Sequence, residues 1–331
     1  MIGSERHDVE RKVITILRIL NESTEPLGAR VIAHRMRDYG IDLGERAVRY
    51  HLKIMDERGL TRLLGRDGRL INDSGVEELK SALVGDKVGF VIGNIELLAV
   101  KTTFDWRKRR GQVPVNVSLF PKDQFKKAKE VMSHVFEGGL CVSDLVAVAN
   151  EGERLSGVLI PEGTVGFATV CSIIVNGTLL KAGIPMDSRF GGILQIKNRE
   201  PLRFVELIQY AGSSLDPSEI FITSKMTSVM EVISKGEGKI VANFREIPSL
   251  CSSVAEEVFA GLRDAGIGGV LVVGNISQPV CEVPVELNKM GIVLIGGLNP
   301  VAAAVEAGIS VDNTAMSGVI EYQDMVSFKK L

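Results

Sequence analysis

The sequence predicts a multidomain chain: a small N-terminal α+β module of helices closed by a β-hairpin, then a larger α/β or α+β domain with an approximate internal repeat. Three observations carry this. Apolar residues recur at i, i+3, i+4 and i+7 along the first sixty residues, the spacing of amphipathic helices. Two short apolar runs then flank Gly65-Arg66-Asp67-Gly68, a hairpin pattern. Beyond about residue 84, Gly-rich, β-branched segments alternate with helical ones. At roughly 100–200 residues per domain, 331 residues make two or three domains; the composition places boundaries at 1–83 and 84–331.

In the first module, Val13, Ile16, Leu17 and Leu20 share one face of a helix from about Asp8 to Leu20, broken by the run Asn21 to Pro26. A second helix spans about Gly28 to Tyr39, and Gly40 suits the left-handed residue after it. A third runs from about Gly44 to Arg58 with Val48, Leu52 and Met55 inward, Glu45 in its first turn and Gly59 as its stop. A hairpin over 60–71 follows, then a helix from Ser74 to about Val84 capped by Asp73-Ser74. Three helices and a hairpin in this order make a winged helix-turn-helix. Its third helix fits the major groove of B-DNA. Arg46, Arg49, Tyr50 and Lys53 form a second stripe on that helix, placed to meet bases and phosphates, and Arg66 and Arg69 of the hairpin can reach a neighbouring phosphate or the minor groove. A lone basic stripe is commonly a solvated face; here it sits on the third helix of a complete pattern.

In the larger domain, strands are expected at 88–92, 115–120, 157–160, 168–175, 191–196, 238–244, 269–273 and 291–297, and helices at Lys122–Phe136, Arg203–Tyr210, Lys225–Ser234, Ser249–Ala265 and Ala302–Ala307. Subrepeats over about 113–200 and 238–331 are suggested by Phe120-Pro121 and Ile247-Pro248, each leading into a helix. GVLI at 157–160 matches GVLV at 269–272, and each precedes a cysteine, Cys171 or Cys281. On this alignment the offset falls from 127 to 112 residues, and the copies are expected to pack about a pseudo-two-fold axis.

Several classes are excluded or disfavoured. No apolar run approaches the ~18 residues of a membrane span, and the charged N-terminus has no signal-peptide core, so a cytoplasmic protein is expected. Four cysteines without a C-x-x-C pair fit a reducing compartment. His7, His34, His51 and His134 lie at no ligand spacing from a cysteine, so no metal is expected. Dinucleotide, P-loop and nucleophile-elbow motifs are missing, which argues against an enzyme. Net charge is −2, with only a slight basic excess in residues 1–75 (14 Lys+Arg against 12 Asp+Glu), so any nucleic-acid contact depends on local placement.

A binding domain remains. Its most suggestive stretch is 166–192, GFATVCSIIVNGTLLKAGIPMDSRFGG. Small and hydroxyl residues, Thr169 and Ser172 among them, surround Cys171; a turn is expected at Asn176-Gly177; Lys181 and Arg189 offer cations to a dicarboxylate. The competing account makes this a buried strand with Cys171 as a small apolar filler.

The order of a winged helix with RAVRYHLKIMDERGLTRLLGRDGRLI, then GTVGFATVCSIIVNGTLLKAGIPMDSRFGG and GGVLVVGNISQPVCEVPVELNKMGIVLIGGLNP, resembles the archaeal NrpR nitrogen-regulator family over nearly the whole chain. The resemblance implies a repressor of nitrogen-assimilation genes that binds palindromic operator DNA and takes 2-oxoglutarate as inducing effector; a homodimer with one winged helix on each half-site is expected, and no cofactor is expected. It places Thr169, Cys171 and Ser172 in the effector-responsive region; Lys181 and Arg189 rest on chemistry alone. Family members differ in the number of sensory domains, so a related regulator subunit is a candidate partner. The alternatives are a winged-helix regulator of another metabolite, an enzyme fused to a DNA-binding domain, and an adaptor whose winged helix binds protein.

Overall fold

The computed structural model describes residues 2–23, 25–65, 67–81 and 88–331. The chain divides into two compact units, Met1–Lys87 and Val88–Leu331.

The first unit contains α1 (Ile2–Asn21), α2 (Ala29–Met36) with a short 3-10 turn after it, α3 (Glu45–Glu57), β1 (Thr61–Leu64), β2 (Gly68–Ile71) and α4 (Asp73–Lys80). The inner stripes of the first three helices meet in one core: Val13, Ile16, Leu17 and Leu20 against Ile32, Met36, Val48, Leu52 and Met55. β1 and β2 pair antiparallel, and Leu27 adds a single antiparallel bridge to Arg69. That bridge requires glycine at 68, where φ is +123° and a Cβ would lie 2.5 Å from the Leu27 carbonyl carbon. Asp56, at the end of α3, ties the wing down: it accepts Thr61 Oγ1 at 2.6 Å and Arg69 Nε at 2.8 Å.

The second unit begins with α5 (Phe90–Lys101). There follow β3 (Gln112–Pro121), α6 (Phe125–Glu137), β4 (Leu145–Asn150), the small hairpin β5 (Arg154–Leu155) and β6 (Val158–Leu159), β7 (Thr164–Val170), α7 (Ile173–Lys181), β8 (Asp187–Lys197) and β9 (Glu200–Gln209). The remainder comprises α8 (Pro217–Thr223), α9 (Val229–Lys235), β10 (Gly238–Pro248), α10 (Ser252–Asp264), β11 (Val270–Ile276), β12 (Lys289–Ile295), α11 (Asn299–Glu306), β13 (Asp312–Glu321) and β14 (Val326–Ser327). The strands form two five-stranded sheets, ordered β11-β12-β10-β8-β9 and β13-β3-β7-β4-β14, antiparallel at every pairing.

The internal repeat is β3-α6-β4-β7-α7-β8 against β10-α10-β11-β12-α11-β13. Each copy gives its last strand away: β8 pairs with β10 of the second copy, and β13 pairs with β3 of the first. The helices cross over as well, α6 packing on α11 and α10 on α7. One continuous apolar core results.

Several expectations change. The sequence alignment of the repeat is out of register in its middle. Leu145 of β4 corresponds to Val270 of β11, and Val170 at the end of β7 to Ile295 at the end of β12, 125 residues on in both cases. Cys171 therefore matches the Gly296-Gly297 junction, whereas Cys281 lies in the loop between β11 and β12. The run 88–92, expected as a strand, opens helix α5, whose buried residues Val91, Ile95, Leu98 and Ala99 follow helical spacing. The strand expected over 168–175 stops at Val170, and α7 follows, so Asn176-Gly177 is helical and makes no turn. A Cβ on Gly177 would sit 2.4 Å from Thr102 Cβ and 2.8 Å from the Ala99 carbonyl oxygen, so this glycine lets α7 approach α5. Arg203–Tyr210, expected as a helix, belongs mainly to edge strand β9, whose two register shifts obscure its alternation.

Candidate functional site: a basic helix face and a buried polar cleft

On α3, Arg46, Arg49, Tyr50 and Lys53 are all exposed. Arg49 pairs with Glu45 at 2.5 Å and Lys53 approaches Glu57 at 3.9 Å, both one turn apart on the solvent side. Exposed i,i+4 pairs are worth only a few tenths of a kcal/mol, so a phosphate can displace them. Arg30, His34 and Arg37 border a groove against Leu43, Gly44 and Glu45 at the start of α3. Their i, i+4, i+7 spacing was readable in the sequence, and the first helix of a helix-turn-helix is the one that crosses the DNA backbone. Arg62 is exposed on β1. Arg69 differs from its expected place at a free hairpin tip: the Asp56 pair leaves its side chain 17% exposed. Arg66 lies outside the described residues.

The larger unit holds a polar cleft where the two repeats meet. Asn116 of β3 and Asn243 of β10 are equivalent, each five residues before the proline that ends its strand. Cys171-Ser172 enters α7, and Gly297-Leu298 enters α11. Ile95, Tyr210, Asp216, Arg245, Ala315 and Met316 also line it. The two helix entries touch because residue 297 is glycine; a Cβ there would meet the Val170 carbonyl oxygen at 2.3 Å. Helix N-termini carry partial positive charge and unpaired N–H groups.

Hydrogen bonds fix the walls. Asn243 Nδ2 donates to Ser172 Oγ at 3.1 Å, and Tyr210 OH donates to Asn243 Oδ1 at 2.5 Å. Asn116 Nδ2 lies 3.5 Å from Thr169 Oγ1, and Asn116 Oδ1 accepts Met316 N at 3.1 Å in the irregular middle of β13. Arg245 is the exception. It is 1% exposed, its guanidinium stands 4.8 Å from the Tyr210 ring centroid, and its Nε and Nη1 have no hydrogen-bond partner. Asp216 caps α8 by accepting Ser218 N at 2.8 Å, and burial raises its pKa. Burial also pushes the Cys171 thiol up to about 11, so it stays protonated at neutral pH.

Cys171 and Ser172 therefore line the cleft, and Thr169 holds Asn116 behind it. Lys181 and Arg189 do not line it. Lys181 is in the last turn of α7, at the far end of the helix from Ser172. Arg189 Nη1 is bound by Glu246 at 2.8 Å and Glu286 at 2.5 Å. Glu246, Asp187 and Glu286 place carboxylate oxygens within 4.8 Å of one another, a spacing that suits a metal ion, but Lys289 also contacts all three. The chain's own cations thus occupy that cluster. Arg245, Asn243, Asn116, Tyr210 and Asp216 escaped sequence reading. The one visible signal, for two of them, was Asn243 and Arg245 (with Glu246) among the apolar residues of 240–247.

Comparison with known proteins agrees with this architecture. The profile of NrpR regulatory domains NRD1 and 2 matches residues 88–327, and that of a ribonuclease R winged-helix domain matches 14–79. The global nitrogen regulator NrpRI of Methanosarcina mazei is 44% identical over 96% of this chain and 98% of its own length. The global nitrogen regulators NrpR of Methanococcus maripaludis and Methanocaldococcus jannaschii are 35% and 34% identical, and the chain spans just over half of each, 55% and 56%. The crystal structure of a nitrogen repressor-like protein from Methanococcus jannaschii superposes with a TM-score of 0.61 at 26% identity, covering 72% of this chain and 98% of that one. Among the described residues no helix is long and apolar enough to cross a membrane. With a winged helix in front and regulatory domains across the rest, the chain belongs to the NrpR family of global nitrogen regulators.

Proposed function

We propose that the chain represses transcription of nitrogen-assimilation genes. A homodimer sets two winged helices on the half-sites of palindromic operator DNA, and 2-oxoglutarate, bound in the cleft at Arg245, releases them. The observation that carries the effector assignment is the pair of guanidinium nitrogens of Arg245, Nε and Nη1, left without a hydrogen-bond partner. A buried charge with donors unsatisfied is costly, and an anion that accepts from them offsets that cost on binding. A carboxylate at Arg245 would also face the N–H groups entering α7 and α11, with Ser172 and the two asparagines to read the rest of the molecule.

The cleft volume is about 20 Å³, room for about one water. A dicarboxylate therefore has to open it, moving a wall: Ile95 on α5, Met316 on β13 or Leu298 before α11. This is how binding energy reaches the rest of the chain, and the shift can be no larger than the ligand's differential affinity for the open and closed forms. A second reading is favoured by Asp216 at the same cleft: an amino-acid zwitterion would put its carboxylate at Arg245 and its ammonium at Asp216.

The test is fluorescence anisotropy on a palindromic DNA that the chain itself selects from a random pool. The proposal expects 2-oxoglutarate to lower DNA affinity at least tenfold and glutamate to do little. Release by glutamate alone supports the zwitterion, and DNA affinity indifferent to both removes the effector assignment.

A further inference from the structure

The two repeats are finished differently at one sheet edge. In the first, the segment after β13 covers the outer edge of β4. Val326 and Ser327 pair antiparallel with Val146 and Leu145, and Phe328 N donates to the Asp144 carbonyl oxygen at 2.7 Å. The Phe328 ring then turns inward, stacking on Phe136 of α6 with 4.3 Å between centroids. Lys129, two turns before Phe136 on the same helix, donates its Nζ to the Leu331 carbonyl oxygen at 3.3 Å. An added strand, an aromatic anchor and a polar contact three residues further on together close this edge.

In the second repeat the corresponding edge is open. β11 is the counterpart of β4 and ends its sheet: β12 lies on one side and, among the described residues, no strand lies on the other. Between β11 and α10, at the counterpart of the place Phe328 fills, is a pocket of about 450 Å³. Its walls include the counterparts of the residues that hold the tail. Val270 and Leu271 stand for Leu145 and Val146, 125 residues on; Glu256 and Arg263 stand for Lys129 and Phe136, 127 residues on. Val273 and Ile276 of β11 are 37% and 54% exposed. An unpaired apolar strand edge is a template for another strand.

We infer that β11 and this pocket receive an extended segment of a different protein, added antiparallel to β11, with an aromatic side chain in the pocket and a Lys or Arg three residues after it. Two differences between the repeats select that chemistry. Arg263 replaces Phe136 and is exposed; a planar guanidinium stacks on an aromatic face much as a ring does. Glu256 replaces Lys129, so an acceptor stands where a donor met Leu331, and the occupant has to bring a cation there. The chain's own segment 325–331 does not suit the slot: it is already seated on β4, and it puts Leu331 where the cation is needed. Neither the operator nor the effector enters the inference, since α10 and β11 contribute no residue to the polar cleft.

The experiment is fluorescence anisotropy of a labelled peptide titrated with the full chain, without DNA or effector. The peptide is Met-Val-Ser-Phe-Lys-Lys-Lys amide, the sequence of residues 325–330 with lysine in place of Leu331; a twin ends in glutamate instead. Wild type should bind the lysine peptide saturably, one per chain, and replacing the peptide's phenylalanine by alanine should weaken binding about tenfold or more. Glu256→Lys, a change at an exposed position, should weaken the lysine peptide about fivefold and tighten the glutamate twin, a reversal that misfolding cannot produce. A wild-type chain that ignores the lysine peptide overturns the inference. Equal affinity of wild type and Glu256→Lys for it overturns it too, because the peptide is then bound elsewhere, the β4 edge included. A peptide that binds dilute chain but is excluded at high protein concentration assigns the edge to a second copy and overturns the choice of occupant.

Discussion

Glu219 shows how the cleft's rim is held. Its carboxylate accepts Ala315 N at 2.5 Å and so fixes the irregular stretch of β13 that lines the cleft. Burial is the main reason its pKa rises from 4.5 to about 7. A carboxyl whose folded pKa exceeds its unfolded one binds more protons when folded, so stability falls as pH rises from about 4.5 to about 7 and is level above that window. Glu219→Gln keeps an acceptor for Ala315 N without the charge. Urea denaturation at roughly pH 5 and pH 8 should show the variant more stable than wild type at the higher pH only, by on the order of 1 kcal/mol. Equal stability at both values would mean that the ionised group is well solvated. At this scale the sequence was only partly readable. Ser172 and Cys171 stood out because small and hydroxyl residues cluster there. Arg245 did not, because one arginine in a strand carries no mark of burial, and only the antiparallel sheet brings β10 beside the entry to α7.

Among the elements, α3 followed from the sequence almost residue for residue: Val48, Leu52 and Met55 are buried, and Arg46, Arg49, Tyr50 and Lys53 face solvent. Arg46→Ala should weaken DNA binding and, if the contact is to phosphate, reduce the salt slope by about one. Arg69→Ala should act differently. It frees Asp56 and loosens the wing, lowering the unit's stability by roughly 1 kcal/mol. Helix α5 was less legible. VGFVIGNIELLAV is apolar on nearly every side, so neither a period of two nor one of 3.6 stands out. Glycine at 177 reads as a turn beside asparagine, yet its role is contact between helices. Gly177→Ala should therefore destabilise the unit by roughly 1–3 kcal/mol through overpacking against Thr102, measurable by thermal or urea unfolding. A neutral result would show that α5 can move away from α7 at little cost.

Over the whole second unit, the exchange of β8 and β13 makes each repeat complete the other's sheet. The repeat itself was visible from its strand-ending prolines, Pro121 and Pro248. Its register was not, because the hairpin β5-β6 offers a GVL segment that resembles β11 more closely than β4 does. The cleft also escaped notice, since it is assembled from both copies: Asn116, Cys171 and Ser172 from one, Asn243, Arg245 and Gly297 from the other. A ligand there touches both repeats and α5 at once, which suits a sensor better than a site within one repeat would. Arg245 is expected to receive the anionic effector. Isothermal titration of the full chain with 2-oxoglutarate, for wild type and for Arg245→Gln, tests it most directly. The account predicts saturable binding by wild type, at least tenfold weaker or undetectable in Arg245→Gln, with both proteins equally folded by circular dichroism. Equal affinity in the two proteins would contradict it and place the effector elsewhere on the chain.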